Sequence, residues 1–341
     1  MNNFLDKIAN LRETPLGSFV PVMIALVAIW VYFGINEPIF LSPRNFYYLF
    51  MQSAVVGTLA VGVTMVLLLG DIDLSIGAVA GVCAATLAVL TTNMGLYAPY
   101  AIIISLLFGA ILGCIMGAII AYVKIPSFVV TLAGLLGFQG LMMKILGING
   151  AINVRDPLIR SISTTTLPTT IGMVLAIIGV VLFGYLIIRN RSIRSKKNLE
   201  NETNLVSAVK FLFFSILIIG ATILLNLYKG VPILILILLA LTFLLGWIST
   251  STSYGRSIFA VGGNAESARR VGISIEFIKI SAFGIVGFMA AVGGLIGASR
   301  YASVSFNAFA GGPLLLEAIG AAVIGGTSLF GGRGSVWNAI L

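Results

Sequence analysis

Histidine is absent from the 341 residues. That removes imidazole acid–base catalysis, histidine metal ligation and histidine-dependent nucleophile triads. Cysteine is nearly absent: Cys83 and Cys114 stand in separate apolar runs and form no C-x-x-C pair. Such spacing gives neither a disulfide framework nor a zinc site, so both read as small core residues. No G-x-x-x-x-G-K-[ST] string occurs, and with it goes the usual phosphate loop of an ATPase. Charge is scarce as well. Asp, Glu, Lys and Arg make up 9% of the chain, against about 25% in soluble domains. That is too little to coat a water-facing globule.

What is present is apolar. Hydrophobic residues form 59% of the chain, and the mean hydropathy is +1.11. Disorder is excluded by the amount of apolar surface, and the bilayer is the solvent that fits. The net charge of +9 then reports basic loops beside a membrane rather than a nucleic-acid partner. The fold class is all-α: a polytopic helical membrane protein, with residues 1–341 forming a single transmembrane domain.

A spanning helix needs about 20 mostly apolar residues. Ten runs qualify: Gly17–Ile35, Asn45–Leu69, Gly77–Thr92, Tyr97–Val123, Phe128–Leu146, Ile171–Ile188, Phe211–Leu227, Pro232–Trp247, Phe277–Ser299 and Pro313–Leu329. An eleventh starts near Val336, and the sequence stops inside it at Leu341. Ending mid-run strands backbone groups in lipid, so a fragment without its C-terminal hairpin is expected. Met1–Leu16 carries Asp6, Lys7, Arg12 and Glu13, and the run that follows has no small-residue cleavage exit. It reads as a cytoplasmic leader before a retained span, not a removable signal.

With the N-terminus inside, fourteen of the 20 Lys and Arg fall on cytoplasmic loops and span ends, including the dense cluster Arg189–Lys197. The positive-inside rule supports this orientation. Residues 189–210 then form a polar cytoplasmic linker, with Glu200 and Glu202 among the cations. Gly147–Thr170 is expected to be a long exposed outer loop. Gly109, Gly113 and Gly117 recur at spacing four, as do Gly293 and Gly297. Small residues at that spacing let spanning helices approach closely. Pro126 and Pro232 stand at span starts, where a missing N–H costs nothing.

Four stretches could carry chemistry. Gly70–Gly77 holds Asp71, Asp73 and Ser75. Two carboxylates two apart invite a metal or acid–base reading, but no third ligand or histidine accompanies them, and they can instead cap the next helix, whose positive end favours them. Glu317 lies five residues into an apolar run, and a carboxylate there is either functional or paired with a neighbouring helix. Gly325–Gly334 is glycine-rich without being a phosphate loop, and reads as a hinge or re-entrant turn. In Gly255–Ile273, Asn264 is suited to cap a helix over Ala265–Val271, with Gly272 closing it. A helix of two turns is unstable alone in water, so it is expected to dock on its own bundle or on a partner.

Gly255–Ile273 resembles the cytoplasmic coupling loop of the permease subunits of ATP-binding-cassette (ABC) monosaccharide transporters, those of the ribose, xylose, arabinose and galactose type. Gly70–Gly77, Ile125–Leu132 and Glu317–Leu329 agree with the same family in order along the chain, from about residue 45 onward. Ribose-type permeases have six spans before the coupling loop, whereas eight precede it here. The extra pair around Ile171–Leu227 resembles the xylose subgroup.

The resemblance implies the bundle of a type II ABC importer in the bacterial cytoplasmic membrane, multi-pass, with no cofactor and no catalytic residue of its own. Two permease copies would enclose the path. Two ATPase subunits would hydrolyse ATP and grip the coupling loop at 249–276, through Gly255, Arg256, Gly263, Asn264, Glu266, Ala268, Arg269 and Gly272. An extracytoplasmic sugar-binding protein would dock on the outer loops. Gln52, Thr64, Asp71, Asp73, Ser75, Thr131, Gln139, Glu317 and Thr327 are candidates to line the translocation pathway. The alternatives are a sister permease for nucleosides or branched-chain amino acids, and an ion-coupled secondary transporter. Proton relays need buried acids or histidine, which disfavours the secondary transporter. Scarce mid-membrane charge favours a neutral solute.

Overall fold

The computed structural model describes residues 20–196, 203–310 and 313–340. The leader Met1–Leu16, the start of the first run, and Lys197, Glu200 and Glu202 lie outside the described residues. The chain is almost wholly helical. In order come α1 (Val20–Asn36), α2 (Pro43–Leu67), α3 (Ile76–Ala88), α4 (Ala98–Ala118), α5 (Ser127–Leu146), β1 (Ala151–Asn153) and α6 (Pro157–Thr164). Then follow α7 (Thr169–Lys196), α8 (Asn204–Asn226), α9 (Ile233–Ser251), α10 (Ser253–Gly263), α11 (Ala265–Arg270), α12 (Ile275–Tyr301), β2 (Ser303–Ser305), α13 (Phe306–Ala310), α14 (Pro313–Ile324) and a 3-10 turn, Val336–Ile340. Among the described residues nine helical segments are long and apolar enough to cross a membrane.

Two compact units divide the chain. The larger comprises Met1–Tyr32, Met51–Thr164 and Leu234–Leu341. Its core is α12, packed against α3 and α4. Glycine makes this packing possible. A Cβ on Gly113 would stand 2.1 Å from the Phe283 carbonyl oxygen, and one on Gly287 would stand 2.1 Å from that of Gly109. The spacing-four ridge on α4 therefore packs directly on the backbone of α12, with the Cβ atoms of Ala291 and Phe283 close beside it. Gly293 and Gly297 do the same for the side chains of Leu59 and Phe309, at 2.6 and 2.7 Å from a built Cβ. Both α3 and α4 end in a widened π turn, Val89–Asn93 and Ile119–Val123.

The smaller unit comprises Phe33–Phe50 and Thr165–Ile233. It contains the hairpin of α7 and α8, the extra pair of spans noted in the sequence. Tyr47 and Tyr228 meet edge to face, their ring centroids 5.3 Å apart, and Lys229 lies over the Tyr228 ring at 5.5 Å. The hydrogen bond from Tyr228 to Tyr48 holds the Tyr228 phenol above its ordinary range. Within 189–210, Arg189–Lys196 continues α7 instead of forming a loop. Arg and Lys are good helix formers, and cations suit a helix C-terminus.

Three other expectations need correction. Gly147–Thr170 is not a free loop. Within it β1 pairs antiparallel with β2, Ala151 opposite Ser305, and α6 buries Ile159 and Ser163. Ser163 donates its backbone N–H to Ser299 Oγ at 2.9 Å and its hydroxyl to the Ser299 carbonyl at 3.0 Å. The run Pro313–Leu329 is helical only to Ile324. Gly326, Gly331, Gly332 and Gly334 take positive φ, a conformation that costs glycine nothing, and they turn the chain. The apolar stretch from Val336 is a short 3-10 turn packed back on α14, where a Cβ on Gly325 would stand 2.1 Å from the Asn338 carbonyl oxygen.

Candidate functional site

The segment between α9 and α12 is polar and largely exposed. Thr252 caps α10 by accepting the Gly255 N–H at 3.1 Å. Gly255 is buried, with no room for a Cβ beside the Ser249 carbonyl oxygen 2.1 Å away. Arg256 is exposed. Asn264 Oδ1 then accepts the Ser267 N–H at 2.8 Å and starts α11. Gly272, with φ of +86°, closes it, as the Ile273 N–H reaches the Ala268 carbonyl at 3.1 Å. The capped short helix expected from sequence is therefore formed. Sequence reading missed α10, because Gly255, Gly262 and Gly263 look like breakers.

One face of α11 docks on its own unit through Ala268, which is 3% exposed. The other face is free. Gly263, Asn264, Glu266, Arg269 and Gly272 are exposed, and no neighbour lies within 4 Å of a Cβ built on Gly263. Glu266 reaches Arg270 at 3.6 Å, one turn on. Arg269 Nη2 donates to Glu276 Oε1 at 2.8 Å, tying α11 to the first turn of α12.

A cleft of about 450 Å³ opens beside this tie, lined among others by Asp71, Lys124, Ser127, Arg269, Glu276 and Lys279. Asp71 Oδ2 lies 2.7 Å from Lys279 Nζ. Asp73 is different. It is fully buried, and its Oδ1 accepts both the backbone N–H and the hydroxyl of Ser75 at 2.7 Å. Burial pushes the Asp73 carboxyl up from its ordinary value, opposed by the Ser75 hydrogen bonds. The two carboxylates thus differ: Asp73 organises the start of α3, and Asp71 forms an ion pair that the sequence reading did not anticipate.

The remaining pathway candidates scatter. Thr131 joins the Asp71 loop, donating to the Ile72 carbonyl at 3.1 Å and to the Ser127 carbonyl at 2.9 Å. Thr64 is fully buried and donates to the Ala60 carbonyl of its own helix. Thr327 is buried, and its hydroxyl finds no hydrogen-bond partner among the described residues. Gln52 and Glu317 are exposed on α2 and α14, and Gln139 is half-buried on α5. Asp71, Asp73, Ser75 and Thr131 are therefore brought together on one loop and the helix beside it. Sequence reading missed Lys279 and Glu276 as site residues. The available signal was a cation only four residues into a spanning helix, which demands a partner.

Comparison with known proteins gives the family. The family described as branched-chain amino acid transport system / permease component matches residues 45–333. Over 337 residues, 98% of this chain and 84% of the relative, the chain is 37% identical to the xylose transport system permease protein XylH of Escherichia coli. It is 34% identical to the protein of that name from Haemophilus influenzae, over 94% of this chain and 85% of the relative. The autoinducer 2 import system permease protein LsrC of Salmonella typhi is 28% identical over 94% of this chain and 73% of the relative. No solved structure matches the chain. The apolar helices, the capped helix α11 and these near-full-length likenesses lead to one assignment: the chain is a multi-pass membrane protein belonging to the branched-chain amino acid transport system permease component family.

Proposed function

We propose that this chain is the membrane-spanning subunit of an ABC importer for xylose in the bacterial inner membrane. The observation that carries the reading is likeness to two xylose permeases along nearly the whole chain, at 37% and 34% identity. ATP hydrolysis belongs to a partner ATPase, and capture of the sugar to an extracytoplasmic binding protein. Two copies of the permease enclose the path, and the N-terminus is cytoplasmic. The cation bias places Arg189–Lys196 and α11 on that same side. There α11, capped by Asn264 and exposing Glu266 and Arg269, suits a surface cleft of the ATPase. ATP binding favours one global state of the ATPase pair, and α11 passes that preference to the bundle.

The test is reconstitution of the chain with its ATPase and binding protein in proteoliposomes. ATP-dependent xylose uptake that needs all three is expected. Uptake without ATP would overturn the importer in favour of a secondary transporter. The likeness to an autoinducer 2 import permease supports autoinducer 2 as a second candidate substrate. Competition between the two solutes in the same assay decides which one the complex carries.

A further inference from the structure

Four charged side chains run in a line from the surface of α11 into the larger unit. Arg269, its side chain 52% exposed, holds Glu276, 30% exposed, at 2.8 Å. Glu276 and Lys279 are three apart on α12 and so share a face. Lys279, 21% exposed, holds Asp71, 10% exposed, at 2.7 Å. From Asp71 the contacts continue through backbone. The Ile72 N–H donates to Ser127 Oγ at 3.1 Å, and Thr131 donates to the Ile72 carbonyl at 3.1 Å. The loop 68–75 and the start of α5 are thus tied to the first turns of α12 by one ion pair, and α11 is tied to the same turns by another.

A second route joins the same parts from the other end of the segment. A Cβ on Gly262, three residues before α11, would stand 1.9 Å from the Leu68 carbonyl oxygen. That oxygen accepts the Gly332 N–H at 2.9 Å. The loop 68–75 is therefore gripped both before α11, by close backbone packing, and after it, by the ion pair. Local folding does not require the Asp71 charge, since Asp73 already satisfies the Ser75 groups at the start of α3. Nor is a partly buried ion pair an efficient source of stability, because desolvation offsets its attraction. What a short pair across two separate elements does supply is a fixed relative position.

We propose that Asp71 and Lys279 are positioning residues for transport, which pass displacement of α11 to the loop 68–75 and the start of α5. The proposal rests on the importer reading above. Its test uses the complete transporter in proteoliposomes, with xylose moved per ATP hydrolysed as the readout. Asp71→Asn and Lys279→Met should each lower that ratio about tenfold, within the range seen for changes along coupling networks. The charge-exchanged pair Asp71→Lys with Lys279→Asp should recover most of it, and Lys279→Arg should keep it. Thermal stability should persist in the exchanged pair and in Lys279→Arg, and co-purification with the ATPase should persist throughout. A wild-type ratio in both single variants, or an exchanged pair as defective as the worse single one, overturns the proposal. Should the neutral variants fail to assemble, amide hydrogen exchange on the wild-type complex decides. Addition of ATP should change protection in 68–75 and 265–270 together, and a change in 265–270 alone overturns the coupling. Wild-type complex that moves no xylose with ATP instead overturns the importer reading, and this proposal with it.

Discussion

Asp71 and Asp73 are two residues apart, yet burial and partners give them opposite chemistry. Asp71 is held by a cation, whereas Asp73 is enclosed and accepts from Ser75. Because burial raises the Asp73 carboxyl, the folded chain binds its proton more tightly than the unfolded chain does. The stability linked to that proton is complete below the ordinary carboxylate value and is lost as pH rises through the raised folded value. Asn cannot titrate, and its carbonyl can still accept from Ser75. Asp73→Asn should therefore gain thermal stability relative to the parent as pH rises above the ordinary carboxylate value of about 3.9. Melting in detergent across that range checks this, and a constant difference between the two proteins would refute it. Asn264 offers a second test at the same scale. Its cap on the Ser267 N–H is the one side-chain bond opening α11 among the described residues. Loss of such a cap costs about 1 kcal/mol, so Asn264→Ala should exchange the Ser267 amide about fivefold faster, and Asn264→Asp should not. Hydrogen exchange resolved to that peptide reads it directly.

Among the elements, α4 and α12 show what the glycine spacing was for. Their backbones meet at Gly109, Gly113 and Gly287 with no space for a single carbon. Inserting a side chain into such packing costs about 1–3 kcal/mol or more, because helices must separate. Gly113→Leu should therefore lower the melting temperature in detergent by several degrees, while Gly179→Leu on α7, where nothing lies within 4 Å, should not. This contact was legible in the sequence because a spacing of four repeats along one helix face. So was α11, whose cap, helix formers and closing glycine are all local. The β1–β2 pair was not legible: strands of three residues show no period, and their partners lie some 150 positions apart. The Asp71–Lys279 pair was hidden for the same reason. Local signals mark each residue as needing a partner, and only the fold supplies the partner's identity.

For the whole molecule, the apolar composition settled the solvent, and the order of four motifs pointed to the family that the comparisons then showed. Neither says which exposed residues act on another subunit, and that question has to be separated from folding. Glu266 permits the separation. Its side chain is 69% exposed, and its contact with Arg270, at 3.6 Å, is a surface pair one turn apart. Such pairs contribute about 0–1 kcal/mol, so Glu266→Ala should leave the melting temperature of the isolated chain within about a degree or two of the parent. If α11 is the surface that the ATPase grips, the same change should sharply reduce the stimulation of ATP hydrolysis by sugar-loaded binding protein. Arg269→Ala should do so more severely, since it removes the exposed guanidinium and also breaks the tie to Glu276 at 2.8 Å. Melting of the isolated chain and stimulated ATPase activity of the complex, measured on both variants, separate the two roles. Unchanged stimulation in both would show that the ATPase holds the subunit elsewhere. Lost stimulation with unchanged melting would place the contact on the free face of α11.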